Sequence, residues 1–385
     1  MMSQVTTKSK PLPPADNLLL QASSESSLSI DDTLRRMPRR EINQLSAAHR
    51  LRWFYLMQCR HTELTRVTDD LIELLTLDNE VSIISVVGST GIGKTTLAQN
   101  LRSTLLAKIF KDALPSETPV LLVAAPANGE KSLSWRVLYN RIFQQSREPL
   151  PEHKRSMKIV EGQMVVSIKP KAGLAEMREA VENMLKHRNV KLLIIDEAMH
   201  LLRFASYTAV MDTLKSLADV YSTKLLLIGS FDVGELMVEY GQVARRSEVI
   251  HYRRYHRSNA EDKKEFFRVL QKLLDLWPCE EVPNLMPIGD LLMQASVGSI
   301  GLLKCIALKL VALQMLAPGE KFTASMLKKA VKSKKAIQKI ESETVQGEAA
   351  LIGSTYGESF FADETQQAVL NALTVIAKNA KEEIK

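Results

Sequence analysis

Gly88-Ser89-Thr90-Gly91-Ile92-Gly93-Lys94-Thr95 lies between an apolar run at 81–87 and a helical stretch at 96–108. The order strand, glycine-rich loop, Lys-Thr, helix decides the fold. The spacing is that of G-x-x-x-x-G-K-S/T, and it stands where that motif must stand, after a strand and opening a helix. The glycines let the backbone curl until its N–H groups converge on an anion. The helix that follows offers its positive end to the same anion. Lys94 is placed to reach β- and γ-phosphates, the Thr95 hydroxyl to hold Mg2+, and Thr96 to extend the cradle. The expected ligands are therefore ATP and Mg2+.

Outward from the loop, short apolar runs at 81–87, 120–125, 192–195 and 225–228 alternate with helical patterns at 96–108, 133–145, 175–187 and 207–221. A weaker run at 249–252 is a candidate fifth strand. Continuous apolar strands suit burial on both faces, and strand–helix alternation predicts a parallel sheet in a three-layer α/β domain. After about residue 257 the strand signals stop. Stretches 259–278, 288–296, 300–315 and 323–341 read as helices of a small lid-like domain. The expected organisation is a disordered segment 1–45, an α/β nucleotide domain 46–257 with a helical lead-in, a helical domain 258–341 and a tail 342–385. The lead-in is expected to pack on the nucleotide domain. The tail carries a candidate amphipathic helix with Val369, Leu373, Ile376 and Ala380 on one face. The first 45 residues are polar and hold a basic knot, Arg35, Arg36, Arg39 and Arg40, read as a solvated stretch or as a docking element.

The run at 192–195 ends in Asp196-Glu197, at the carboxyl end of a strand, where open α/β sheets place ligands. Asp196 would hold Mg2+ and Glu197 would polarise the attacking water. Asp196-Glu197-Ala198-Met199-His200 is not the DEAH helicase motif, because Met199 stands where that histidine should be. His200 reads as a structural or locally hydrogen-bonding residue. The run at 225–228 ends in Gly229-Ser230, which makes Ser230 a candidate γ-phosphate sensor. Arg245 and Arg246 precede the fifth run. Either could be projected into a neighbour's site, where the planar fork of arginine suits transition-state charge; Arg246 is the first choice. In the helical domain Gly301 is followed by Lys304, a candidate second sensor.

The chain has 385 residues and a formal net charge of +7, which permits a polyanionic partner without requiring one. Basic residues after the second strand, Lys131, Arg136, Lys154, Arg155 and Lys158, are candidates for contacts to DNA phosphates. The lysine-rich stretch from Lys328 to Lys339 is a second candidate patch. Three dispersed cysteines form no pair and no zinc pattern, which fits a reducing compartment. No apolar stretch reaches the ~18 residues of a membrane span, and no signal-peptide core is visible. A cytoplasmic location without a membrane partner is expected.

The motifs GSTGIGKTT, LLIIDEAMHL, LLLIGSFDVGELM and QVARRSEVIHYRRY occur in that order. Over roughly residues 50–315 they resemble the TnsC/TniB/MuB group of AAA+ transposition regulators. Lys304 departs from the arginine usual in such lids. The resemblance implies an ATPase that forms rings or filaments on double-stranded DNA. It also implies recruitment of a transposase, loading by a target-selection protein, either RNA-guided or sequence-specific, and disassembly on hydrolysis. Two rivals stand beside this reading. One is a replication initiator or helicase loader, which calls for a winged helix after the lid, where the stretch from Glu341 is short and polar. The other is an ATP-switched signalling or defence scaffold that binds no DNA.

Overall fold

The computed structural model describes residues 29–77, 80–127, 135–148, 155–160, 163–168, 173–202, 207–219, 223–234 and 246–351. The chain divides into two units. One, here the helical unit, takes the chain up to Thr62 and from Arg254 to Lys339. The other, the nucleotide unit, takes Glu63–Arg253 and the chain from Ile340 onward.

The nucleotide unit holds a five-stranded sheet of β1 (Ile83–Val87), β2 (Val120–Ala124), β5 (Leu192–Asp196), β6 (Lys224–Gly229) and β7 (Ser247–His251). The order is β2-β5-β6-β1-β7 and every pairing is parallel. The register sets Val87 opposite Gly229 and His251, and Ala124 opposite Asp196. All the strand carboxyl ends thus lie along one edge of the sheet.

Alternation explains why these runs are mostly apolar, the buried Ser85 of β1 donating to the Glu248 carbonyl at 3.4 Å. Ile84, Val86, Leu192, Ile194, Leu226 and Ile228 pack on one face, with α4 (Thr62–Thr76) and α5 (Lys94–Lys108). Ile83, Val87, Leu193, Ile195, Leu225 and Leu227 pack on the other, with α6 (Trp135–Ser146), α7 (Leu174–His187) and α9 (Tyr207–Asp219). Both faces are covered, so no strand position is free to be polar at low cost. Each fully buried Leu, Ile or Val contributes about 1.5–3 kcal/mol. A short helix, α8 (Met199–Leu202), follows β5.

One element was not expected. Between α6 and α7 the chain forms an antiparallel hairpin, β3 (Arg155–Val160) and β4 (Gln163–Ile168), with Met157 opposite Val166. The sequence reading took Arg155 and Lys158 as part of a basic loop; they lie on a strand.

The helical unit differs from expectation at its N-terminal side. α1 (Ile30–Arg36) and α2 (Arg39–Ile42) occupy the described part of the segment expected to be disordered. Ser29 caps α1 by accepting from the Asp32 N–H at 3.2 Å. Leu34, Ile42 and Leu45 are buried in the same core as Trp53 and Phe54 of α3 (Ala47–Leu56). The basic knot is in part a staple, since Arg39 donates to the carbonyls of Trp277 and Cys279 at 2.6 and 3.1 Å. Residues 1–28 lie outside the described residues.

The helical lead-in consists of two helices, and only the second belongs to the nucleotide unit. α3 joins the core of the helical unit, and α4 joins the nucleotide unit through Leu64, Val67 and Leu71. The rest of the helical unit is α10 (Ala260–Asp275), α11 (Gly289–Ala295), α12 (Ile300–Met315) and α13 (Ala324–Ala330). α12 is apolar around most of its circumference, as befits a helix enclosed by others. Among the described residues no single helix is long and apolar enough to cross a membrane.

The expected helix 323–341 is broken. α13 ends at Ala330, and α14 (Lys334–Leu351) runs past the expected boundary at 341 and enters the nucleotide unit from Ile340. The remaining tail, 352–385, with its candidate amphipathic helix, lies outside the described residues.

Candidate functional site

β1 ends at Val87, and the loop 88–93 turns directly into α5. Two of its glycines have a backbone that side chains disfavour: Gly91 at φ +80° and Gly93 at φ +113°. Gly88 is required for a different reason. A Cβ there would lie 2.6 Å from the Tyr252 carbonyl oxygen, where the chain leaving β7 passes the loop. Gly93 is the N-cap of α5 and offers no side-chain acceptor, so the first N–H groups of that helix are left to a ligand. Ile92 anchors the loop in the core below, while Thr90 is exposed.

Lys94 folds back over the loop. Its Nζ donates to the carbonyls of Gly88 at 2.7 Å and Ser89 at 2.8 Å. Burial pushes its pKa down to about 8, against the opposing pull of Asp196. An ammonium held by two carbonyls beside a helix N-terminus is set to exchange them for phosphate oxygens.

The acidic motif meets the loop. Thr95 Oγ1 donates to Asp196 Oδ2 at 2.7 Å, across 101 residues of sequence. Asp196 is buried, and its other oxygen accepts from the Glu197 N–H at 2.8 Å. A hydroxyl and a carboxylate paired beside a lysine form a donor set that fits Mg2+ and a phosphate chain.

Glu197 has φ +56°, rare for a non-glycine residue and costing about 1–3 kcal/mol. The kink turns its carboxylate outward, with 61% of the side chain exposed. His200 Nε2 stands 3.7 Å from Glu197 Oε2.

Ser230 follows β6, two strands' width from the acid motif's far neighbour β2 and next to β5. Its hydroxyl, with one proton to give, lies 2.6 Å from Met199 Sδ and 3.3 Å from Asp232 Oδ2. Gly229 is needed there because a Cβ would lie 2.5 Å from Val233 Cγ2. Gly88, Thr90, Met199 and Ser230 line one cavity of about 510 Å3. Sequence reasoning missed part of its wall, which comes from α14 through Thr344 and Gly347.

The remaining candidates fall elsewhere. The Arg246 carbonyl accepts from the N–H groups of Ser82 and Ile83, at the amino ends of β1 and β7. The loop 88–93 is at the opposite end of β1, about 15 Å away at 3.3 Å per strand residue. Arg246 therefore stands at the end of β1 away from the phosphate loop of its own chain. Arg245 lies outside the described residues, as do Lys131 and Lys154. Arg136 is in the first turn of α6, and Arg155 and Lys158 are on β3.

Lys304, the candidate second sensor, belongs to the helical unit. It lies in α12, and its ammonium donates to the carbonyls of Tyr55, at 2.9 Å, and Met57. Burial lowers its pKa. It caps the end of α3 within the helical unit, where helix carbonyls lack partners.

The five-stranded parallel sheet with its loop, acid pair and helical region is the P-loop AAA+ fold. Residues 78–237 match the AAA domain family. Among solved structures, the chain is similar to the Aeropyrum pernix ORC1 protein in complex with DNA. That match has a TM-score of 0.51 and 15% identity, and covers 72% of this chain and 66% of the other. It is also similar to the Aeropyrum pernix ORC2 protein in its ADPNP–ADP complexes, with a TM-score of 0.48, 19% identity and coverage of 70% and 65%. Domain III of the Thermotoga maritima replication initiation protein DnaA matches with a TM-score of 0.44, 16% identity and coverage of 73% and 97%. The chain spans just under two thirds of the length of the two ORC proteins. No curated protein matches it at a significant level.

Proposed function

We propose that this chain is an ATPase that works as a switch on double-stranded DNA, assembling as a homo-oligomer with ATP and releasing after hydrolysis. The observation that carries the reading is the 2.7 Å bond from Thr95 to Asp196 beside Lys94, with Glu197 turned outward next to it. Lys94 would leave the Gly88 and Ser89 carbonyls for the β- and γ-phosphates, and the first N–H groups of α5 would hold the same anion. Thr95 and Asp196 would hold Mg2+, which supplies neutralising charge to the phosphates. Glu197 would accept the proton of the attacking water, and Ser230 would orient the γ-phosphate. Arg246 would serve a second copy, since its own loop is at the other end of β1.

Duplex DNA as partner is supported by the net charge of +7 and by the basic residues before and on β3, namely Lys131, Arg136, Lys154, Arg155 and Lys158. Of the possible clients we favour the replication machinery, an initiator or helicase loader, because the AAA+ fold here resembles that of the ORC1 protein solved with DNA. A transposition regulator is the second reading, favoured by the order of the four sequence motifs; it adds a transposase and a target-selection protein as partners. A cytoplasmic setting suits both.

The test is steady-state ATP turnover with and without duplex DNA at two salt concentrations. Turnover stimulated by DNA, less so at high salt, is expected. Turnover indifferent to DNA would move the reading to a scaffold that binds none. The two clients separate by whether the ATP-analogue form on DNA retains a replicative helicase or a transposase.

A further inference from the structure

We propose that α14 is a positioning element of the ATP site, acting through Gly347 and Phe231 on the turn that carries Ser230. The proposal rests on the reading of the site as an ATPase.

Gly347 sits within α14, where glycine costs about 1 kcal/mol relative to alanine. Its presence has a packing cause. A Cβ at this position would lie 2.8 Å from Phe231 Cβ and nearer still to the ring, so the helix backbone lies directly against that side chain. Phe231 is the residue after Ser230. Its ring also meets His251, the last residue of β7, edge-on at 5.7 Å.

One helical turn on, Leu351 is 3% exposed, and its Cδ2 lies 3.0 Å from a Cβ built on Gly234. One turn back, Thr344 is 2% exposed and donates to the Ile340 carbonyl at 2.7 Å. Thr344, Gly347 and Leu351 share one face at i, i+3 and i+7 spacing. That face clasps both ends of the described segment 230–234. Between the clasp and the loop residues Gly88 and Thr90 lies the cavity of about 510 Å3. The helix therefore fixes where the Ser230 turn stands relative to the phosphate loop. Ser230 touches the reacting group in this account; Gly347 and Phe231 act through it.

Two measurements on the full chain test this. The first compares Gly347→Leu with the wild type. The expected result is a fall of about tenfold or more in kcat, with nucleotide Kd changed less than about threefold. Phe231→Ala combined with Gly347→Leu should recover part of the loss, because the leucine then has the ring's space. A merely structural defect would lower the folded fraction without that split. Unchanged kcat, or a double variant no better than the product of the single effects, overturns the proposal. The second measurement is hydrogen exchange of amides 340–351 in the wild type, with and without a non-hydrolysable ATP analogue. Slower exchange with the analogue is expected, and equal exchange overturns the coupling. If the wild type binds the analogue but never turns over ATP, the function proposed above fails, and the exchange experiment still decides the role of α14.

Discussion

Two lysines, one in each unit, hold the same kind of bond for different ends. Lys94 rests on the carbonyls of Gly88 and Ser89, and Lys304 on those of Tyr55 and Met57. Burial lowers the pKa of both. The carbonyls under Lys94 flank a glycine loop whose helix N-terminus faces outward, with Thr95 and Asp196 alongside. The carbonyls under Lys304 close the end of α3. The contrast extends to the surroundings. In the helical unit polar groups are taken up in packing: Arg50 pairs with Glu320, and the Trp277 indole donates to Gln314 at 2.8 Å. In the nucleotide unit, beside the loop, Glu197 stands at φ +56° with its carboxylate exposed, and Lys94 has its pKa lowered to about 8. A charged residue at a motif's spacing becomes a ligand only where the fold leaves it something to exchange.

The largest expected effect is at Glu197. Glu197→Gln should keep nucleotide affinity and lower kcat by about 10^2–10^4; ordinary turnover in a single-turnover assay would remove it from the base role. Next comes Lys94→Ala, expected to weaken ATP binding about 100-fold, as loss of a charge-assisted contact to phosphate. Titration of a fluorescent ATP analogue reads this directly.

A pH series sharpens the comparison further. Lys94 binds phosphate as an ammonium, its pKa without ligand is about 8, and a bound phosphate raises it. Affinity should be level below about pH 8 and fall above it, by about tenfold between pH 7 and pH 9. A flat profile would mean that the loop lysine stays charged. The smallest effect belongs to Lys304→Ala. It should leave nucleotide affinity within about twofold and lower the stability of the helical unit by about 1–2 kcal/mol, read by denaturant unfolding. A large loss of affinity with unchanged stability would restore Lys304 as a sensor and erase the distinction between the two lysines.

The parallel sheet was legible because strands buried on both faces must be apolar at every position, and 192–195 and 225–228 are. The phosphate loop was legible because Gly91, Gly93 and Lys94 are tied to one backbone shape. The hairpin was not read, although Met164-Val165-Val166 and the two-residue spacing Glu161-Gly162 were signals for it. Its lysine and arginine drew attention as charges instead. α1 and α2 escaped because each buries a single side chain, Leu34 and Ile42, too few to stand out in a polar segment. Gly347 looked like a tail glycine, since nothing local announces that Phe231, 116 positions earlier, needs its space. Long-range packing of this kind leaves no period in the sequence.

The central claim is that ATP sets an assembly state on DNA. Negative-stain imaging of the full chain with duplex DNA, with and without a non-hydrolysable ATP analogue, tests it most directly. The account predicts rings or filaments on DNA only when the analogue is present. Particles of one size that ignore both DNA and nucleotide would contradict it.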